Sequence, residues 1–350
     1  MDESTDILCE RRGAAGYVTL NRPRALNALN LGMVREMTRA LEAWAADPAV
    51  TRVIVTGAGD KAFCAGGDIR HLTEFGRAGR KAEALAFWQE EYRLNALIKR
   101  YPKPYVSLID GIVMGGGVGV SLHGSHRVAG DRYLFAMPEV GIGFFPDVGA
   151  TYALPRLPGR TGMYVALTGE RIRRADAVML GLATHAVDGA RMEEVREALV
   201  EGVPVDRALS AAAVNPGPAP LSAHRDLIDA CFSAESVPAV LRRLDEAAGK
   251  GSDFASSLAA TIRSKSPTSL LIAFEQVRRG GSLDFAEAMR TEYRIVSRIV
   301  EGHDFYEGVR ATLIDKDGKP RWRPASLDEV DPAAVEAYFA SLGPDELEIA

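Results

Sequence analysis

The chain has 350 residues, which is enough to bury one large hydrophobic core or two smaller ones. Its content of 47% hydrophobic and 25% charged residues is typical of a soluble globular protein. A net charge of -5 argues against nucleic acid or an anionic membrane surface as the main partner.

Cysteine usage and the N-terminal sequence bear on the compartment. Cys9, Cys64 and Cys231 are too few and too far apart for a disulfide framework or a zinc site, which favours a reducing compartment. The first six residues are acidic or polar and precede no long apolar run, so we predict no signal peptide. No stretch is apolar for long enough to span a membrane. We therefore expect a cytoplasmic protein.

The N-terminal half alternates between predicted strands and helices. Asn30 is a plausible N-cap for a helix over residues 31–46, whose apolar residues recur at helical spacing. Two prolines, Pro102 and Pro104, end a later helix. The predicted elements are strands at 17–21, 53–56 and 105–109 and helices at 31–46 and 83–99. This alternation predicts an α/β core with right-handed crossovers.

Two glycine-rich corners each follow a buried strand. Gly115, Gly116 and Gly117 lie after strand 105–109, and Gly66 and Gly67 lie after strand 53–56 and a short loop. Neither corner matches a dinucleotide or P-loop fingerprint. Without a Cβ, such corners let a substrate approach backbone N–H groups, which can bind an oxygen that becomes negative. One corner alone could equally serve helix–strand packing, but two favour a pair of oxyanion donors.

Glu139 and Asp147 stand in a loop that otherwise consists of Gly, Ile, Phe, Pro and Val. A structural interpretation is that Glu139 bonds backbone N–H groups and that Asp147 caps a helix beginning near Gly149. The catalytic interpretation is that burial beside Phe144 and Phe145 raises a carboxyl pKa into the range of a general acid or base. The neighbouring glycine corners favour the catalytic interpretation.

Other polar residues give weaker signals. Glu91 lies on the predicted helix with Trp88 and Asn95 on its face, although such a residue is usually solvated. Cys64 is more readily explained as a buried structural thiol than as a nucleophile. No G-x-S-x-G motif and no histidine pattern typical of metal sites occurs in the sequence.

The second half is predicted to be mainly helical. Residues 160–188 are rich in helix with two glycine-containing breaks, and residues 216–220 resemble a linker. A helical pattern then continues to about residue 300, and a further element covers 304–313. The acidic residues after 328 are best explained as a solvated helical face.

The segments 21–29, 61–68 and 111–119 resemble the crotonase superfamily, also called the enoyl-CoA hydratase/isomerase family. The resemblance implies an α/β fold with a ββα spiral core that binds acyl-CoA thioesters through two backbone N–H donors. These fall at Ala65 and Gly116, with Gly66, Gly67 and Asp68 as further substrate-binding residues. A typical hydratase has two glutamates. Here the first position is Gly119, and only the second is present, as Glu139.

The segments 135–149, 183–185 and 304–310 are similar to one branch, the 3-hydroxyisobutyryl-CoA hydrolases. This resemblance implies thioester hydrolysis in valine breakdown, with Glu139 and Asp147 catalytic and Glu91 and Gly116 contacting substrate. Glu139 acts as nucleophile or general base. The implied domains are a catalytic core over 1–200 and a helical region over 201–350.

The resemblance also sets the expectations on cofactors and partners. Metal and redox cofactors are not needed, and an acyl-CoA is the expected partner. Assembly into a homo-oligomer is left open. Two alternatives remain: a hydratase or isomerase acting on another acyl-CoA, and a non-catalytic acyl-CoA-binding protein.

Overall fold

The computed structural model describes residues 5–349, so part of the N-terminal sequence used to predict the lack of a signal peptide lies outside it. The chain forms two compact units. The first, here the sheet unit, contains the chain up to Asp68, Glu90–Ala136 and Arg171–Pro220. The second, the helical unit, contains Ile69–Gln89, Met137–Glu170 and the chain from Leu221 onward. The division into domains at about residue 200 stays a prediction.

Two sheets make up the framework of the sheet unit. In chain order the strands are β1 (Ile7–Arg12), β2 (Ala15–Leu20), β3 (Arg52–Gly57), β4 (Ala62–Cys64), β5 (Tyr105–Ile109), β6 (Ile112–Met114), β7 (His126–Ala129), β8 (Leu134–Ala136), β9 (Ile172–Arg173) and β10 (His185–Ala186). The larger sheet has the order β1-β2-β3-β5-β7-β10, and the smaller has β4-β6-β8-β9.

The chain alternates between the two sheets. Each of β3, β5 and β7 in the larger sheet is followed directly by β4, β6 or β8 in the smaller one. All pairs are parallel except β1–β2 and β8–β9, so every turn of the chain returns in the same direction. This arrangement confirms the predicted α/β fold with a ββα spiral core.

Helices complete both units. In chain order they are α1 (Leu31–Ala46), α2 (Ile69–Arg77), α3 (Lys81–Lys99), α4 (Gly116–Gly119), α5 (Ala150–Ala153), α6 (Thr161–Thr168), α7 (Arg174–Leu180), α8 (Met192–Val200), α9 (Val205–Ala212), α10 (Arg225–Phe232), α11 (Val237–Gly249), α12 (Asp253–Arg263), α13 (Pro267–Gly280), α14 (Phe285–Ile299), α15 (Asp304–Val309) and α16 (Pro332–Ala337). The helices after residue 221 confirm the predicted helical C-terminal region. None of the helices in the described chain is long and apolar enough to cross a lipid bilayer.

Successive side chains in a strand point to opposite faces of the sheet, and this alternation decides which residues form the core of the sheet unit. Tyr17 on β2 and Val106 on β5 point to the same side and are buried against Leu199 of α8 and Leu209 of α9. Each fully buried side chain of this size contributes about 1.5–3 kcal/mol through the hydrophobic effect. The core therefore fixes the larger sheet on which the spiral is built.

Gly162 of α6 is a position where the fold requires glycine. A Cβ built on Gly162 would overlap the carbonyl oxygen of Leu154, which is backbone and has little freedom to move. We expect Gly162→Ala to lower the free energy of unfolding by about 3 kcal/mol, as overpacking does. The control is Gly249→Ala in α11, where a Cβ meets no atom within 4 Å. That change should stabilise the protein by up to about 1 kcal/mol in denaturant titration.

Candidate functional site

The first glycine corner lies where β6 ends. Gly115 has φ +46°, a conformation that glycine adopts without strain, and it turns the chain into α4. A Cβ on the next residue, Gly116, would lie 2.5 Å from Glu91 Oε1 and 3.0 Å from Leu29 Cδ1. The Glu91 side chain is 2% exposed. The fold thus brings Glu91 against the Gly116 backbone, and their common role in contacting substrate stays a prediction.

The second corner, after β4, lies beside the first. A Cβ built on Gly66 would be 3.8 Å from the Gly116 nitrogen. The Gly66 carbonyl accepts from Leu29 N–H at 2.8 Å, and Asp68 N–H donates to the Leu29 carbonyl at 2.8 Å. These two hydrogen bonds form a parallel β-bridge between Leu29 and Gly67. In such a bridge the bonds are made by the residues on either side of Gly67, so the Gly67 N–H points away from the Leu29 segment.

Ala65 and Asp68, to which the resemblance gave substrate-binding roles, both make contacts within the chain. The Ala65 N–H donates to the Leu26 carbonyl at 3.0 Å, so this amide is already used within the loop. The Asp68 carboxylate binds the Arg22 guanidinium at 2.9 Å. Both contacts are made to the segment 22–29, and the substrate-binding roles of Ala65 and Asp68 stay predictions. Gly67 is then the better candidate for the donor of this corner.

Glu139 is a buried carboxylate in the helical unit. It begins a short 3-10 helix, Glu139–Ile142, and its side chain is 6% exposed. No residue in the described chain donates a hydrogen bond to its Oε2 atom. Burial raises the pKa of Glu139 well above its usual range, and the nearby charge of Asp147 raises it further. A buried carboxylate oxygen without a donor is costly unless a ligand uses it.

Glu292 is a second buried acid that the sequence reasoning missed. It is completely buried and accepts from Gly149 N–H at 2.8 Å and Thr151 N–H at 2.9 Å. These amides start α5, so Glu292 fills the capping role that the structural interpretation gave to Asp147. The signal was available: Glu292 interrupts the apolar stripe of α14 between Met289 and Val296.

The buried state of Glu292 predicts a pH-dependent stability. Burial and then the Asp147 charge raise the pKa of Glu292 to about 8. A raised carboxyl pKa stabilises the folded state at low pH, and this contribution is lost as the pH rises through 8. In urea titrations between pH 5 and 8, the stability advantage of wild type over Glu292→Gln should shrink by about 1.4 kcal/mol per pH unit. A constant difference would contradict this prediction.

Cys64 supports the second corner and is not activated. Its thiol is buried and donates to the Gly66 carbonyl at 3.5 Å. Burial raises the pKa of Cys64 to about 12, which disfavours the reactive thiolate.

Among residues 5–349, no three His, Cys, Asp or Glu side chains are grouped so as to hold a metal ion.

Comparison with known proteins decides the family. The family model described as enoyl-CoA hydratase/isomerase matches residues 15–339. The chain belongs to the enoyl-CoA hydratase/isomerase family. The predicted likeness to the crotonase superfamily is thereby confirmed.

Relatives of this family member support the predicted branch. Proteins named 3-hydroxyisobutyryl-CoA hydrolase, mitochondrial, are 47% identical in Xenopus tropicalis and 46% identical in Rattus norvegicus. The alignments cover 98% and 99% of this chain and 91% of each relative. A crystal structure titled carnitinyl-CoA dehydratase from Mycobacterium thermoresistibile is also similar, with a TM-score of 0.93 and 45% identity over 98% of both chains.

The expected cytoplasmic location of this family member is wrong. The curated relatives are named mitochondrial 3-hydroxyisobutyryl-CoA hydrolases, which contradicts that expectation. The expectation rested on the scarcity of cysteines, which indicates only that thiols stay reduced, and on the lack of a predicted signal peptide or membrane-spanning stretch. Such evidence does not distinguish one reducing compartment from another.

Proposed function

We propose that this protein hydrolyses the thioester of 3-hydroxyisobutyryl-CoA to 3-hydroxyisobutyrate and CoA. The observation that carries the proposal is the buried carboxylate of Glu139, whose Oε2 receives no hydrogen bond in the described chain. The position of a second hydratase glutamate is occupied by Gly119. The names and near-complete coverage of the relatives support the same substrate.

In this proposal the glycine corners polarise the thioester. The N–H groups of Gly116 and Gly67 donate to the carbonyl oxygen as it gains negative charge. Each donor of this kind lowers the barrier by about 3 kcal/mol when the charge develops away from water. Backbone amides suit this role because they are fixed by the fold and require no reorganisation during the reaction.

Glu139 supplies the reacting carboxylate by one of two routes. In the first it attacks the carbonyl carbon, the C–S bond breaks, and CoA leaves as the thiolate, which takes a proton from water. A water molecule then cleaves the mixed anhydride to the free acid and regenerates the Glu139 carboxylate. In the second it takes a proton from water, which attacks the carbonyl directly; the C–S bond then breaks, and Glu139 returns the proton to the CoA sulfur. Hydrolysis in ¹⁸O-labelled water under single turnover identifies the first route when the label enters Glu139, which happens when water attacks the glutamyl carbonyl of the anhydride.

The remaining site residues have supporting roles in the proposal. Asp147 holds the substrate hydroxyl or assists proton transfer, and its 5% exposure keeps it out of bulk water. Glu91 shapes the acyl pocket behind Gly116. Water, carboxylates and amides suffice for both routes, so the proposal requires no metal or redox cofactor.

A panel of acyl-CoA esters tests the activity. We expect free thiol to appear at least tenfold faster from 3-hydroxyisobutyryl-CoA than from acetyl-CoA, because the substrate hydroxyl has a polar partner in the site. The dehydratase title of the similar crystal structure favours one alternative, hydration or dehydration. That reaction would change enoyl absorbance without releasing thiol. Tight binding of every ester without turnover would instead identify a non-catalytic acyl-CoA-binding protein.

Assembly is a separate part of the proposal. Members of the superfamily often form trimers or pairs of trimers, and we propose a homo-oligomer on that likeness. Light scattering coupled to size exclusion would give the mass of the assembly directly.

A further inference from the structure

The orientation of the Gly67 amide is set by its neighbours. In a trans peptide the Gly66 C=O and the Gly67 N–H point in opposite directions. Leu29 N–H holds that carbonyl at 2.8 Å, and Asp68 N–H is held by the Leu29 carbonyl at 2.8 Å. The direction of the Gly67 N–H therefore depends on where the Leu29 segment lies.

Arg22 connects the Leu29 segment to the chain just after Gly67. Its Nη1 donates to the Ala28 carbonyl at 2.7 Å, and its Nη2 donates to Asp68 Oδ2 at 2.9 Å. One planar guanidinium thus fixes both sides of the parallel bridge. The Arg22 and Asp68 side chains are only 21% and 28% exposed, so solvent screens their pairing less than that of a surface pair.

Arg22 is itself held in place. Its backbone N–H donates to Asn27 Oδ1 at 2.9 Å, and Asn27 Nδ2 donates to the Ala62 carbonyl at 2.9 Å in β4. Asn27 is fully buried. The backbone that carries the guanidinium is therefore fixed. Strand β4, which precedes the Gly66–Gly67 corner, is held by the same Asn27 side chain.

We propose that Arg22, acting through Asp68, is a positioning residue for the Gly67 amide. This inference rests on the proposed function, since it assigns the Gly67 N–H to the carbonyl oxygen of the substrate. Misplacement of a donor by about 1 Å is enough to cost large factors in rate. Loss of Arg22 should therefore weaken polarisation of the carbonyl without preventing binding.

The test compares Arg22→Gln, Arg22→Lys and Asp68→Asn with wild type. We expect Arg22→Gln to lower kcat for thiol release about tenfold with KM within twofold. Lysine can still pair with Asp68 but lacks the planar fork, so Arg22→Lys should recover part of the loss. Asp68→Asn removes the charge that holds the guanidinium while keeping the size of the side chain, and it serves if Arg22→Gln fails to fold. It should lower kcat in the same way.

An absorbance measurement on a bound ligand distinguishes loss of the Gly67 amide position from general disruption of the structure. Hexa-2,4-dienoyl-CoA absorbs at longer wavelength when its carbonyl is polarised, and bound to wild type it should show this shift. The shift should be reduced by at least half in Arg22→Gln at saturating ligand. The control is Asp6→Asn, because Asp6 Oδ2 lies 3.5 Å from Arg22 Nε and the substitution leaves the hydrogen bonds from Arg22 to Ala28 and Asp68 in place. It should leave the shift and kcat unchanged.

The outcomes distinguish this inference from the proposed function. A full shift in a folded Arg22→Gln variant overturns the positioning role, and so does the lack of any shift in wild type. If wild type shifts the spectrum but releases no thiol from any ester, hydrolysis is wrong. The positioning role is then supported by a reduced shift in Arg22→Gln.

Discussion

Replacing Glu139 by glutamine should lower kcat for thiol release from 3-hydroxyisobutyryl-CoA by at least two orders of magnitude. Glutamine keeps the size of the side chain but neither attacks a carbonyl nor accepts a proton from water. Because burial raises the pKa of Glu139, the charged form is costly in the fold. The variant should therefore be at least as stable as wild type at pH 8, and lost activity will not reflect unfolding.

Two measurements make the Glu139 prediction specific. Binding of a non-hydrolysable thioether analogue should change by less than threefold, because the substrate contacts away from the carbonyl remain. The matched control is Glu42→Gln on the exposed face of α1, which should retain full activity. Turnover within threefold of wild type in Glu139→Gln would contradict the assignment of the reacting carboxylate.

Gly116→Ala is expected to have the second largest effect, a loss of about two orders of magnitude in kcat. The new Cβ would stand 2.5 Å from Glu91 Oε1 and 3.0 Å from Leu29 Cδ1, so the Glu91 side chain and the Gly116 corner must shift relative to each other. Removal of one oxyanion donor costs factors of about 10²–10³. Stability should fall by only about 1–3 kcal/mol, since Oε1 is the far end of a flexible side chain.

The control for Gly116→Ala is Gly249→Ala, an alanine placed in a helix with open space around it. Its activity should equal that of wild type. If Gly116→Ala retains more than a third of wild-type kcat, the Gly116 amide is not a donor. Circular dichroism at the assay temperature establishes that both variants are folded.

Local patterns predicted the elements well because their signals are short in range. Helix α1 begins and ends where the apolar spacing placed it, and the Asn30 side chain accepts from Met33 N–H at 2.9 Å as an N-cap should. Strand β5 also has its predicted bounds. The short strand β6 was missed, because three residues beside a glycine turn carry too little periodicity to indicate a strand.

The site was harder to predict, because its details depend on hydrogen bonds between distant parts of the chain. Ala65 looked suitable as a donor until the fold placed the Leu26 carbonyl against its N–H. Glu292 accepts a hydrogen bond from Thr151, which lies 141 residues earlier in the chain, so the contact forms only when α14 packs against α5. Residue types in sequence indicate which groups are available, whereas the fold determines which of them are already satisfied.

The pairing of β4 with β6 has a consequence for how the family varies its substrates. These parallel strands end at the same edge of the sheet, and one glycine corner follows each of them. The hydrogen-bond register between β4 and β6 therefore sets the distance between the two corners. A change of register by one residue would move one corner relative to the other by about 3.3 Å, the rise of one strand residue. Because no acyl-contacting side chain sets this spacing, acyl groups of different shape can be accommodated by mutation elsewhere while the carbonyl keeps the same pair of contacts.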